Sequence, residues 1–147
     1  IMIIYIGFST KTHKIFARIF CRHFKHCAPV VITKNKCEIY QFTRANNINV
    51  IPIKKRDIKI LTAHGWRFVK YNIKYIPRNA IHIHALSCVQ FTKKFCGIKK
   101  ATIQTPDSLL KHLIKKWKNT GKCRYFYFIF FFIMYICNIP NKLDTVQ

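Results

Sequence analysis

The sequence predicts an α+β fold: a small antiparallel sheet packed against a short, capped helix that carries Cys88. Three observations predict it. Short apolar runs closed by turn residues fill the first half of the chain: Ile1 to Gly7, Cys27 to Thr33, Cys37 to Thr43 and Val50 to Ile53. In the second half, Ser87 and Thr105 each open a segment with helix-start chemistry and helical apolar spacing. The 147 residues, half of them hydrophobic, suffice for one core but not for two.

The elements follow in order. Ile1 to Gly7 reads as a first strand that turns at Gly7-Phe8-Ser9-Thr10. From Lys14 to Phe24, Ile15, Phe16, Ile19, Phe20 and Phe24 recur at helical spacing. Cys27 to Thr33 reads as a strand whose edge or start is marked by Ala28-Pro29, because proline cannot donate to a ladder. Lys34-Asn35-Lys36 is a turn, and Cys37 to Thr43 returns to complete a hairpin. Val50 to Ile53 is a short strand interrupted by Pro52, Asp57 to Leu61 is ambiguous, and His64-Gly65 turns into one or two strands over Trp66 to Ile76. After a break at Pro77-Arg78-Asn79, Ser87 supplies an N-cap and Gln90 can return the bond in a capping box, with Gly97 placed to end the helix left-handed. Thr105-Pro106-Asp107 gives a cap, a proline at the first helical position and an acid in the first turn of a helix running to about Lys118. The expected division is a domain over residues 1–120, followed by a basic linker and an aromatic tail over 121–147.

The tail from Tyr125 to Ile139 is 15 residues of nearly unbroken aromatic and aliphatic character. A spanning helix needs about 20. A buried closing segment and a membrane contact fit it equally. The preceding Lys115, Lys116, Lys118, Lys122 and Arg124 would hold the domain on the cytoplasmic side.

Charge is extreme, with 27 Lys and Arg against 4 Asp and Glu, a formal +23. Such a field favours anionic partners and says little about fold. The basic residues are scattered, and none of the clusters reaches a block that reads as a nucleic-acid patch. Seven cysteines without a CxxC pair do not make a secreted disulfide framework, and a reducing, cytoplasmic compartment fits better. Ile1 followed by Met2 leaves the true start of translation open.

Cys88 is the candidate nucleophile. At the first position of a helix its sulfur meets unpaired backbone N–H groups and the positive end of the helix dipole, and both favour thiolate. A nucleophile needs a base, and the base needs an orienting group. Of seven histidines, His26 opens an apolar strand, and Glu38, the only glutamate, lies on the next strand, 12 residues on. A hairpin with a short turn can bring these two close together on one face.

The order of these residues resembles the circularly permuted NlpC/P60 papain-like superfamily, in which His precedes Cys. Residues Ser87-Cys88-Val89-Gln90-Phe91-Thr92-Lys93-Lys94-Phe95-Cys96-Gly97-Ile98, followed by Ile103-Gln104-Thr105-Pro106-Asp107-Ser108-Leu109, resemble the Cys-Val-x-Phe-x-Lys-x-x-x-Gly-Ile and Thr-Pro stretch of phage and bacterial members. Phe24-Lys25-His26-Cys27 resembles their Phe-x-His strand start. The spacing in the lecithin retinol acyltransferase group points to Glu38 as the third residue, although the superfamily often has His, Asn or Gln there, which makes Gln41 a rival. The similarity covers roughly Ile3 to Lys118. It implies a papain-like hydrolase or acyltransferase acting on an amide, ester or thioester through Cys88, His26 and Glu38, with no cofactor or metal. The basic surface mildly favours an anionic substrate.

Two other readings compete. Cys21, His23, His26 and Cys27 form one dense set of metal-ligand types and His82, His84 and Cys88 another, but neither follows the paired spacing of zinc sites. A basic nucleic-acid-binding module without catalysis is the alternative function, with Tyr71, Tyr75 and Trp117 near lysines as stacking candidates.

Overall fold

The computed structural model describes residues 2–11, 19, 21–34, 36–43 and 47–119. Its elements are β1 (Met2–Ser9), β2 (His26–Ile32), β3 (Cys37–Phe42), β4 (Ile48–Pro52), α1 (Asp57–Ala63), β5 (Trp66–Ile73), a 3₁₀ turn (Ala80–His82), α2 (Cys88–Cys96) and α3 (Pro106–Asn119). The expected helix from Lys14 to Phe24 lies mostly outside the described residues, as does the whole tail from Tyr125 to Ile139. The chain divides into a unit Ile1–Leu113 and a unit Ile114–Gln147. The sheet, α1, α2 and the start of α3 belong to the first.

The sheet is five-stranded in the order β4-β3-β2-β1-β5, and every neighbouring pair is antiparallel. An α+β architecture with an antiparallel sheet is therefore what the chain forms. Strand alternation sorts its side chains onto two apolar faces. One carries Ile4, Ile6, Phe8, Cys27, Val31, Tyr40 and Phe42, covered by Val89, Phe91 and Phe95 of α2 and by Leu109 and Leu113 of α3. The other carries Ala28, Val30, Cys37 and Ile39, flanked by Trp66 and Phe68 and by Ile58 and Leu61 of α1. The ambiguous stretch at Asp57 is thus a helix. Its Asp57 carboxylate accepts the Lys54 N–H (2.9 Å), and its amphipathic side closes the second face.

Two glycines serve the sheet directly. Gly65 turns α1 into β5 at φ +90°, a conformation other residues rarely adopt. Gly7 leaves room for aromatic rings, since a Cβ there would lie 2.8 Å from the Trp66 ring and 3.0 Å from Phe68. Trp66 and Phe68 stack with centroids 6.0 Å apart.

Pro29 departs from expectation in an informative way. It marks neither an edge nor a start, because β2 is the central strand and begins at His26. The Thr33 N–H donates to the Lys36 carbonyl across the hairpin (2.8 Å), so alternation points the amides of residues 31, 29 and 27 toward β3. Residue 29 has no amide hydrogen to give. The β2–β3 ladder runs only from Ile32↔Cys37 to Val30↔Ile39 and stops there. The N–H of Cys27 consequently faces a part of β3 with which β2 is not paired.

Among the described residues, no helix is long and apolar enough to cross a membrane.

Candidate active site

α2 is built as its sequence dictates. The Ser87 hydroxyl accepts the Gln90 N–H (3.1 Å), and Gly97 closes the helix at φ +69°. Gln90 returns its bond one residue earlier than a capping box would, accepting from the Leu86 N–H (2.6 Å). Lys93 and Lys94, in the last turn, donate to the carbonyls of Ile103 (3.1 Å) and His84 (2.6 Å). These two lysines tie the flanking loops to the helix instead of simply facing solvent. Together the caps and ties fix Cys88 at the first turn.

The structure brings Cys88 and His26 together. The Cys27 thiol hydrogen-bonds the Cys88 sulfur, and against the opposing effect of burial, His26 adds a hydrogen bond and its charge, and the Cys27 backbone N–H donates as well. The sulfur therefore takes up the amide that Pro29 keeps out of the ladder. These donors bring the Cys88 thiol down to about 4. His26 projects toward the second apolar face, where its ring meets the edge of Trp66 (centroids 6.3 Å, interplanar 85°). Its Nε2 is buried and has no hydrogen-bond partner among the described residues. A buried polar atom left unpaired costs about 1–3 kcal/mol.

Glu38 does not join this pair. It stands opposite Val31, five positions along β2 from His26, or about 17 Å at strand spacing. It also points to the opposite face, because the hairpin sets even positions of β2 against odd positions of β3. There its carboxylate accepts the Tyr40 hydroxyl (3.0 Å) and pairs with Lys36 (3.0 Å). Burial, followed by that bond, pushes the Tyr40 hydroxyl up to about 12. The glutamate is thus structural, like the other described acids. Asp107 accepts the N–H groups of His23 (3.1 Å) and Phe24 (3.3 Å), anchoring the approach to β2 at the start of α3. Gln41 lies past the end of the β2–β3 ladder, opposite Asn49 of β4, and alternation along β3 puts it, unlike Glu38, on the same face as His26.

Sequence reasoning missed the Cys27 side chain as a participant. Its signal was present in the dipeptide His26-Cys27, since a sulfur lying beside the strand edge can meet successive residues from both faces. Among the described residues, no group of three or more His, Cys, Asp or Glu side chains is placed to hold a metal ion.

The depressed thiol predicts a pH profile. Alkylation of Cys88 by iodoacetamide should stay level as the pH falls below the ordinary thiol value of 9.0 and drop only near about 4. An unperturbed thiol would lose about tenfold per unit over the same range. A folded value below the unfolded one stabilises the protein fully above 9.0, and that contribution disappears as the pH falls through about 4. A midpoint near that of an ordinary thiol would remove the basis for an activated sulfur.

Fold and site together define a class: an α+β protein with a cysteine at a helix start, paired with a histidine that opens the central strand of an antiparallel sheet. No protein-family model, curated protein or solved structure matches the chain.

Proposed function

We propose that the protein is a papain-like cysteine hydrolase or acyltransferase of the circularly permuted NlpC/P60 type, with Cys88 as nucleophile and His26 as its acid–base partner. The observation that carries this reading is the half-buried Cys88 sulfur, held by Cys27 and His26 at the first turn of α2. The order of a histidine-bearing β-hairpin before a cysteine-bearing helix supports the permuted type.

In this reaction the thiolate attacks the carbonyl carbon of an amide, ester or thioester. Charge that develops on the carbonyl oxygen is met by free N–H groups at the α2 start. The bond to the leaving group breaks as His26 protonates it, leaving an acyl thioester on Cys88. Water then attacks with His26 taking its proton, or a second nucleophile accepts the acyl group. Gln41 takes the part expected of Glu38 by moving to the imidazole Nε2, to which it makes no hydrogen bond in the structure.

The test uses p-nitrophenyl acetate. Wild-type protein should release p-nitrophenolate in a burst matching the enzyme concentration, with the acetyl group recovered on the Cys88 peptide. Gln41→Ala should slow that burst by up to about a hundredfold through misplacement of the ring. Glu38→Gln should leave it unchanged and cost about 1 kcal/mol of stability, because the amide oxygen can still accept the Tyr40 hydroxyl and only the pair with the exposed Lys36 is lost. An acetyl group found only on other side chains would overturn the assignment.

A further inference from the structure

In the acyl reaction the Cys27 thiol and amide serve only to steady the Cys88 sulfur, and no bond to the Cys27 sulfur is made or broken. That thiol is wholly buried. Its sulfur lies 3.5 Å from the Thr92 hydroxyl on α2 and hydrogen-bonds the Cys88 sulfur. Thr92 stands one helical turn on from Cys88, on the same side of α2, and Cys88 itself packs against the core cluster that holds Cys27, so two thiols on different elements, β2 and α2, lie beside one another. Their exposure is unequal: Cys27 is sealed in the core, while Cys88 is partly open to solvent. Two other cysteines lie nearby. Cys88 acts on Cys21 through charge alone, and Cys96, itself buried, acts on Cys27 in the same way.

We propose that Cys88 and Cys27 form a reversible disulfide when the protein meets a peroxide, Cys88 being the thiol attacked and Cys27 the thiol that resolves it. Hydrogen peroxide is the oxidant. The Cys88 thiolate attacks one peroxide oxygen; the O–O bond breaks, an S–O bond forms, and hydroxide leaves, so that Cys88 becomes a sulfenic acid. The Cys27 sulfur then attacks the Cys88 sulfur, an S–S bond replaces the S–O bond, and the second hydroxide departs. The two hydroxides take up the Cys27 proton and one solvent proton, giving two molecules of water. Sulfur gives up two electrons in all, and a dithiol returns them. Contact between the sulfurs offsets the poor nucleophilicity of a buried thiol, as proximity does in other intramolecular displacements. A reactive, accessible cysteine beside a sheltered second one is the arrangement that keeps oxidation reversible. The disulfide silences the nucleophile and protects it from irreversible oxidation.

This inference needs a reactive Cys88 but not the acyl chemistry, and the experiment separates the two. The full chain is treated with hydrogen peroxide, remaining thiols are blocked with iodoacetamide, and peptides are mapped without reduction. The expected product is a Cys27–Cys88 linked peptide lacking two hydrogens, with loss of acetylation by p-nitrophenyl acetate. Dithiothreitol should reverse both changes. In Cys27→Ala, checked for native circular dichroism, peroxide should drive Cys88 on to sulfinic acid, beyond rescue by dithiothreitol. Wild-type Cys88 recovered as sulfinic acid, or linked to Cys21, would overturn the proposal. A linked peptide in a protein that never acetylates would sink the hydrolase reading and leave this one standing. Acetylation without any linked peptide would do the reverse.

Discussion

Replacing His26 with alanine is expected to slow acyl transfer to Cys88 by about 10²–10⁴-fold, the usual contribution of a positioned acid–base group. In the proposed reaction the imidazole acts twice, helping to hold the sulfur as thiolate and protonating the leaving group. Alanine removes both actions. The first loss should be partial, because the Cys27 thiol and amide still donate to the sulfur. The second should be nearly complete for amides and smaller for p-nitrophenyl esters, whose leaving group needs no proton. A rate measured against leaving-group basicity therefore separates the two roles: the deficit in His26→Ala should widen as the leaving group becomes more basic. Cys88→Ser should abolish transfer outright, since a hydroxyl in the same surroundings stays protonated. Neither substitution removes core packing, so circular dichroism should be native. Equal rates for wild type and His26→Ala across all leaving groups would exclude the imidazole from the reaction.

The Gly7→Val variant should lose about 1–3 kcal/mol of stability, the range for overpacking a filled interior, and lose acyl transfer with it. The two effects share one cause. A side chain at residue 7 would press into the rings of Trp66 and Phe68, and Trp66 is also what the His26 ring rests against. Lifting the indole off β1 removes that support from the imidazole, so the site should weaken even at temperatures where the domain is folded. The check is a urea titration alongside the p-nitrophenyl acetate burst. A variant as stable and active as wild type would mean that the indole does not depend on the bare backbone at Gly7.

Much of this architecture was legible in the residues. β1, the hairpin and both capped helices announced themselves through local chemistry: Ser87 and Gly97 bound α2 as their side-chain and backbone preferences require. Cys88 and His26 could be singled out because a helix start and a strand start are local features. Glu38 misled because its position depends on register. Counting residues around a hairpin gives approximate nearness, whereas the face a residue occupies depends on which carbonyl the turn engages, here that of Lys36 bonded by the Thr33 amide. One step in that pairing exchanges faces. The scarcity of acids made Glu38 conspicuous, but Tyr40 and Lys36 explain its presence. The role of Cys27 was hidden for a related reason: alternation predicts that neighbours on a strand diverge, and only a partner lying level with the sheet can engage both.

Pro29 carries a consequence for how such a centre can be lost. Any residue able to donate at that position would let the two strands zip onward past Val30, and the Cys27 amide would turn to a carbonyl of β3 instead of the sulfur. A single codon change could thus close the seam in which the thiolate sits while every reactive group stayed in the sequence. The seam proposed to hold the thiolate is kept open by a missing hydrogen.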